Sequence, residues 1–111
     1  MKIYSDSIIV NSPLLIISGQ TPQEEDTTPT LIEDQLDIVI KKIEKIIQEN
    51  NTTKEKIAKM NVYITDSSFL GAVRKKLSNY YGKNKPAMTL VVVSELVNPK
   101  FKVEIDALVS L

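Results

Sequence analysis

The sequence predicts an α+β domain, a mixed β-sheet with two helices packed on one of its faces. Three observations predict it. Apolar residues recur at helical spacing in two stretches, 30–49 and 69–81. Short β-branched runs flank and separate those stretches. The resulting order, strands, helix, strand, helix, strand, strand, layers both helices against one sheet. With 111 residues and 42% hydrophobic content, residues 1–111 read as a single domain with a modest core.

Taken in order, Lys2 to Tyr4 and Ser7 to Val10 read as short strands, and Asn11-Ser12-Pro13 as a turn. Leu14 to Ile17 is a continuous apolar run, which predicts a central strand covered on both faces. Gly19 ends it, and Thr21 to Thr30 forms a polar loop. Its acidic cluster Glu24-Glu25-Asp26 lacks metal-ligand spacing and reads as a solvated surface. Thr30 to Glu49 is a helix, with Thr30 and Glu33 at capping-box spacing. Its apolar stripe is Ile32, Leu36, Val39, Ile43, Ile46 and Ile47. Glu33, Asp34 and Asp37 come early and Lys41, Lys42 and Lys45 late, which suits the helix dipole. A single helical turn at Lys54 to Ile57 follows.

From Lys59 to Thr65 the chain alternates, with Met60, Val62 and Ile64 on the inner side. Asp66 or Ser67 caps the second helix, whose stripe is Phe69, Val73, Leu77 and Tyr80 or Tyr81. Gly82 stops it. Met88 to Val93 is a β-branched strand. In the last strand Phe101, Val103, Ile105 and Ala107 alternate with Lys102, Glu104 and Asp106. The apolar runs at Leu14 to Ile17 and Leu90 to Val93 need cover on the sheet face away from the helices, and self-association supplies it.

Composition narrows the chemistry. Fourteen basic residues balance fourteen acidic ones, so no broad positive field gathers phosphates, and nucleic acid is not the expected partner. Cysteine and histidine are absent, which removes the thiolate nucleophile and the commonest general base and metal ligands. No metal or organic cofactor is expected. The apolar run from Ile8 to Ile17 is broken by Asn11, Ser12 and Pro13, too short to cross a bilayer and without a signal-peptide pattern. The expectation is a soluble cytoplasmic protein.

Ser18-Gly19-Gln20-Thr21-Pro22 near the start, Lys85-Pro86-Ala87-Met88 later and Val103-Glu104-Ile105 near the end carry a family resemblance. In order and spacing they resemble the Rid family, the reactive intermediate deaminases also called YjgF-like proteins. The resemblance spans nearly the whole chain. It implies the Rid/chorismate-mutase-like fold, a homotrimer, and small-molecule clefts between neighbouring subunits. Family members hydrolyse enamines or imines released by pyridoxal-phosphate enzymes, such as 2-iminobutanoate and 2-iminopropanoate, giving a keto acid and ammonia.

The same resemblance assigns candidate residues. Ser18 and Gly19 match the family's pocket edge; read alone, they terminate a strand and serve a turn. Tyr4 falls about where the family has a pocket tyrosine, with one extra residue before Ser18; read alone, it is an aromatic near a sheet edge. Phe69 and Thr89 complete the implied binding set. Glu104 matches the glutamate that handles a proton or positions water; a partly desolvated strand carboxylate can act as general acid or base. Met88 stands where the family's arginine grips the substrate carboxylate through paired charge-assisted hydrogen bonds. Loss of that pair costs on the order of 10²-fold or more in transition-state binding.

Arg74, the only arginine, lies about where many members have a pocket asparagine. It either replaces the lost clamp from another wall or is a solvated arginine beside Lys75 and Lys76. Lys42 replaces an asparagine common on the family's first helix.

The leading expectation is a homotrimer that binds a small carboxylate or imine metabolite, or a partner, at its clefts with weak or no imine deaminase activity. An imine deaminase, a hydrolase of C=N bonds, is the alternative. RNA cleavage or translation inhibition comes third.

Overall fold

The computed structural model describes residues 2–111. Four strands form one mixed sheet: β1 (Leu14–Gln20), β2 (Ile57–Ile64), β3 (Ala87–Val92) and β4 (Val103–Ser110). Helices α1 (Ile32–Glu49) and α2 (Leu70–Tyr81) cover one face, with 3₁₀ turns at Lys54–Lys56 and Ser67–Phe69. The strand order is β1-β4-β2-β3. β4 pairs antiparallel with both β1 and β2, and β2 pairs parallel with β3 through the α2 crossover. Among the described residues no helix is long and apolar enough to cross a membrane.

The alternation read in the sequence sets the core. Met60, Val62 and Ile64 of β2 and Val103, Ile105, Ala107 and Val109 of β4 all point under the helices and are buried. Leu36, Val39, Ile43 and Ile47 of α1 and Val73, Leu77 and Tyr81 of α2 meet them. Each large aliphatic side chain so buried contributes about 1.5–3 kcal/mol relative to exposure. Packing of this kind supports α1 despite its helix-weakening β-branched residues.

Several local expectations are corrected. Lys2 to Tyr4 and Ser7 to Val10 form no strands; only Ser5 makes an isolated parallel bridge, to Ala87. β1 is an edge strand rather than a central one. Its pairing with β4 places Leu15 and Ile17 toward the helices and leaves Leu14 and Ile16 facing away, Ile16 with 74% of its surface exposed. A continuous apolar run thus serves two different faces, one packed within the chain and one open.

The expected capping box is not formed: Leu31 is the N-cap of α1 and no side chain closes it. Thr30 instead lends its carbonyl to Lys102 Nζ at 2.5 Å. No basic residue occupies the last turn of α1, and Lys42 Nζ reaches back to the carbonyls of Thr21 (2.7 Å) and Gln23 (2.6 Å). Asp66 does cap, accepting from Ser68 N–H at 2.8 Å at the 3₁₀ turn that leads into α2. Gly82 ends α2 with φ 61°, a left-handed value that favours glycine.

Candidate functional site

Two groups of candidate residues emerge, at opposite edges of the sheet. The first depends on an N-terminal strap along the outer edge of β3. Ser5 N–H donates to the Pro86 carbonyl at 2.8 Å and Ser5 Oγ to that of Lys85 at 2.5 Å. The Tyr81 hydroxyl, from the end of α2, donates to the carbonyl of buried Ile3. Burial pushes the Tyr81 phenol up from 10.0 to about 12. These bonds hold Tyr4 over the β3 edge, with its ring 5.1 Å from Lys2 Nζ.

Beneath the strap lies a cavity of about 290 Å³ lined by Ile3, Tyr4, Leu70, Arg74, Met88 and Leu90. Leu70 and Arg74 share a face of α2 because they are one helical turn apart. Met88 and Leu90 share the helix side of β3 because they are two residues apart, in register with Met60 and Val62. The cavity is mostly apolar with one cation. Neither ion pair among the described residues, Lys2–Asp6 or Lys76–Asp37, involves Arg74. Tyr4, Arg74 and Met88 are therefore brought together, from three separate elements.

The second group is Ser18, Gly19 and Glu104. The β1–β4 register shifts between Ile17 and Gln20, so the strand bulges at Ser18 and Gly19 and does not end at Gly19 as expected. A Cβ on Gly19 would sit 2.1 Å from Glu104 Oε2. The carboxylate thus occupies the space that any other residue at 19 would fill.

Beside Glu104 on the open sheet face, Asp106 accepts from Asn61 Nδ2 (2.8 Å) and from the Tyr63 hydroxyl (3.0 Å). The Tyr63 phenol is raised, first by this bond to Asp106, then by burial and the negative charges of Asp106 and Glu104. The sequence reading missed this Asn61–Asp106–Tyr63 network. Alternation placed its members on one face but held no sign that they would bond to each other.

Two candidates join neither group. Phe69 packs against the core with Lys102 Nζ 5.7 Å from its ring. Thr89 lies on the open face and accepts from Lys59 Nζ at 2.9 Å. Between β4, which carries Glu104, and β3, which carries Met88, lie two strand spacings, roughly 10 Å, and Glu104 lies on the open face while Met88 faces the helices. One chain therefore does not unite Glu104 with Tyr4, Arg74 and Met88. Among the described residues no group of three or more carboxylates is placed to hold a metal ion.

A layer of two helices on a mixed four-stranded sheet is the architecture of solved Rid-family structures. The sequence profile of the family described as Endoribonuclease L-PSP matches residues 1–111, and the chain belongs to this family, the YjgF/Rid family. It is 30% identical over 96 residues to a RutC family protein of Pyrococcus abyssi, covering 84% of this chain and 75% of that one.

Among solved structures, the Rid family protein YyfB of Yersinia pestis superposes with a TM-score of 0.89 at 20% identity, over 98% of this chain and 87% of that one. RidA of an Antarctic Psychrobacter superposes with a TM-score of 0.83 at 23% identity, over 99% and 89%. At these identities the two structures speak to the fold.

Proposed function

We propose that this protein is a homotrimeric small-molecule-binding member of the Rid family with weak or no imine deaminase activity. The observation that carries the reading is Met88 in the cavity wall, where the family resemblance calls for an arginine. A thioether donates no hydrogen bond, so the carboxylate of an imino acid lacks its clamp at that corner. The two half-sites at opposite sheet edges support the assembly. A neighbour whose Gly19 edge lies against the Met88 edge would add Glu104 to the cavity. The exposed Leu14, Ile16 and Val91 form the apolar surface such a neighbour would cover. A cytoplasmic location belongs to the same proposal.

The test is keto-acid release in a dehydratase reaction supplemented with the protein. The expected rate is at or little above that of the buffer control, and Met88→Arg raises it. Strong acceleration by the unaltered protein, comparable to that of Met88→Arg, would overturn the reading in favour of an imine deaminase. That alternative has one observation on its side: Glu104 is held over Gly19, where a carboxylate can move a proton. RNA cleavage, which the family's description names, is supported by no net positive charge. Salt-sensitive RNA retention would favour it.

A further inference from the structure

We infer that a second cavity, at the end of the sheet where β2 begins, binds a phosphate monoester of a small organic molecule. Strand pairing makes the cavity. β3 first meets β2 where Ala87 lies opposite Lys59, and the β2–β4 register shifts between Ile57 and Lys59. Ile57 and Ala58 therefore have no strand beside them on the β3 side. A cavity of about 440 Å³ lies there, between residues 8–11, the 3₁₀ turn before β2 and the 83–85 loop after α2. It shares no lining residue with the cavity under the strap, and the site is independent of the deaminase reading above.

The lining carries more positive than negative charge. Lys56, Lys83 and Lys85 stand against Glu55 alone, three against one, which leaves a surplus of two. Neither ion pair among the described residues includes any of the four. Lys85 gives one N–H to the Lys2 carbonyl at 2.7 Å, and an ammonium has three to give. Asn11 and Asn84 add exposed amides to the same lining. Among the described residues, the backbone N–H groups of residues 8–11 donate to no other backbone group. Such a set of donors selects an anion.

The cations are lysines and not arginines. An ammonium is a point charge with donors that rotate, which suits a tetrahedral head; the planar fork that matches a carboxylate is absent from this lining. A phosphate monoester carries about −1.5 to −2 charges at pH 7, which the surplus of two meets. Apolar surface completes the site. Ile57 and Ala58 are buried in its lining, and Ile8 and Ile9 expose 41% and 87% of their surface. Removing that surface from water favours an ester with an organic part over inorganic phosphate. The volume lies within the range of small-molecule pockets, roughly 300–1,000 Å³, and admits the phosphate with a ring-sized group. A nucleic-acid backbone offers singly charged diesters and is met along a broad positive stripe, which this chain of balanced charge lacks.

Calorimetric titration of the unaltered protein with phenyl phosphate, inorganic phosphate, benzoate and an oligouridylate tests this. Phenyl phosphate is expected to bind at least about threefold more tightly than inorganic phosphate or benzoate. Lys56→Gln and Lys83→Gln should each weaken it about threefold, and the double variant about tenfold, as exposed charge pairs do. Both lysines are exposed, so the melting temperature of the unliganded variants should not move. Arg74→Ala, in the other cavity, and Lys45→Gln, on the exposed side of α1, should leave binding unchanged. No binding of phenyl phosphate, or inorganic phosphate or benzoate binding as tightly, would overturn the inference. Equal losses in Arg74→Ala or Lys45→Gln would also overturn it, assigning the effect to the cavity under the strap or to net charge. Tighter binding of the oligouridylate that Lys56→Gln and Lys83→Gln abolish would give these lysines to nucleic acid instead. None of these results alters keto-acid release, so the two readings fail separately.

Discussion

Glu104 keeps its place because Gly19 has no side chain. In Gly19→Ala the new Cβ meets the end of a flexible glutamate and not a fixed backbone, so the carboxylate swings aside at small cost. The expected result is a stability change below about 1 kcal/mol by denaturant titration, with Glu104 displaced from Gly19 in a crystal structure of the variant. A large destabilisation that Glu104→Ala does not relieve would contradict this account of Gly19.

Gln35 presents the opposite balance. It is fully buried, donates to the carbonyls of Pro29 (2.8 Å) and Lys100 (2.9 Å), and accepts from Lys102 N–H (2.8 Å). It thereby ties the loop before α1 to the start of the strand that carries Glu104. Gln35→Leu leaves three part-buried backbone groups without their partner, and since one unsatisfied buried group costs about 1–3 kcal/mol the loss should reach about 2 kcal/mol. Stability within 1 kcal/mol of the parent would show that water replaces the amide.

Neither role was legible in the sequence. Gly19 read as a strand stop because the partner that needs its space lies 85 positions away. Nothing in the sequence singles out Gln35, because its partners sit in two loops without a periodic signal.

At the scale of elements, the helices and the inner strands were legible because their apolar periods match what they bury. The stripes of α1 and α2 and the alternation of β2 and β4 became the core. The N-terminal segment was not legible: its β-branched residues suggested strands, yet backbone pairing is confined to one bridge and side chains do the anchoring. Tyr81→Phe removes the hydroxyl from the Ile3 carbonyl, and should cost about 1–3 kcal/mol and loosen Tyr4 at the cavity.

The same phenol predicts an alkaline limit. Its folded pKa lies above the unfolded 10.0, so its contribution is full below pH 10 and is lost as pH rises through about 12. The urea midpoint should fall over that window, and less steeply in Tyr81→Phe; identical slopes would remove Tyr81 from the account.

Asp66 has the reverse sign. Bonds from Ser68, its backbone N–H first, lower its carboxyl pKa below 3.8. The cap therefore stabilises the start of α2 above that value and fails as pH drops through the depressed one. Asp66→Ala should melt lower at pH 7, and the difference from the parent should vanish at strongly acidic pH.

For the molecule as a whole, the open sheet face is the feature that a single chain leaves unexplained. Ile16 stands beside Leu108 and Leu14 beside Ser110, and Val91 lies across the sheet, around the hydrogen-bonded Asn61, Tyr63 and Asp106. The need for cover was legible in the apolar runs. Their division between two faces was not, because it depends on which strand ends at the sheet edge. Ile16→Glu places a charge in the proposed contact and should yield monomers without unfolding the chain, as seen by unchanged far-ultraviolet circular dichroism.

The most direct measurement is the mass of the unaltered protein in solution by light scattering. The account predicts a single species of three 12.5 kDa chains that persists on dilution. A species of one chain at micromolar concentration would leave Glu104 and the Arg74 cavity apart on different faces of one sheet, and would contradict it.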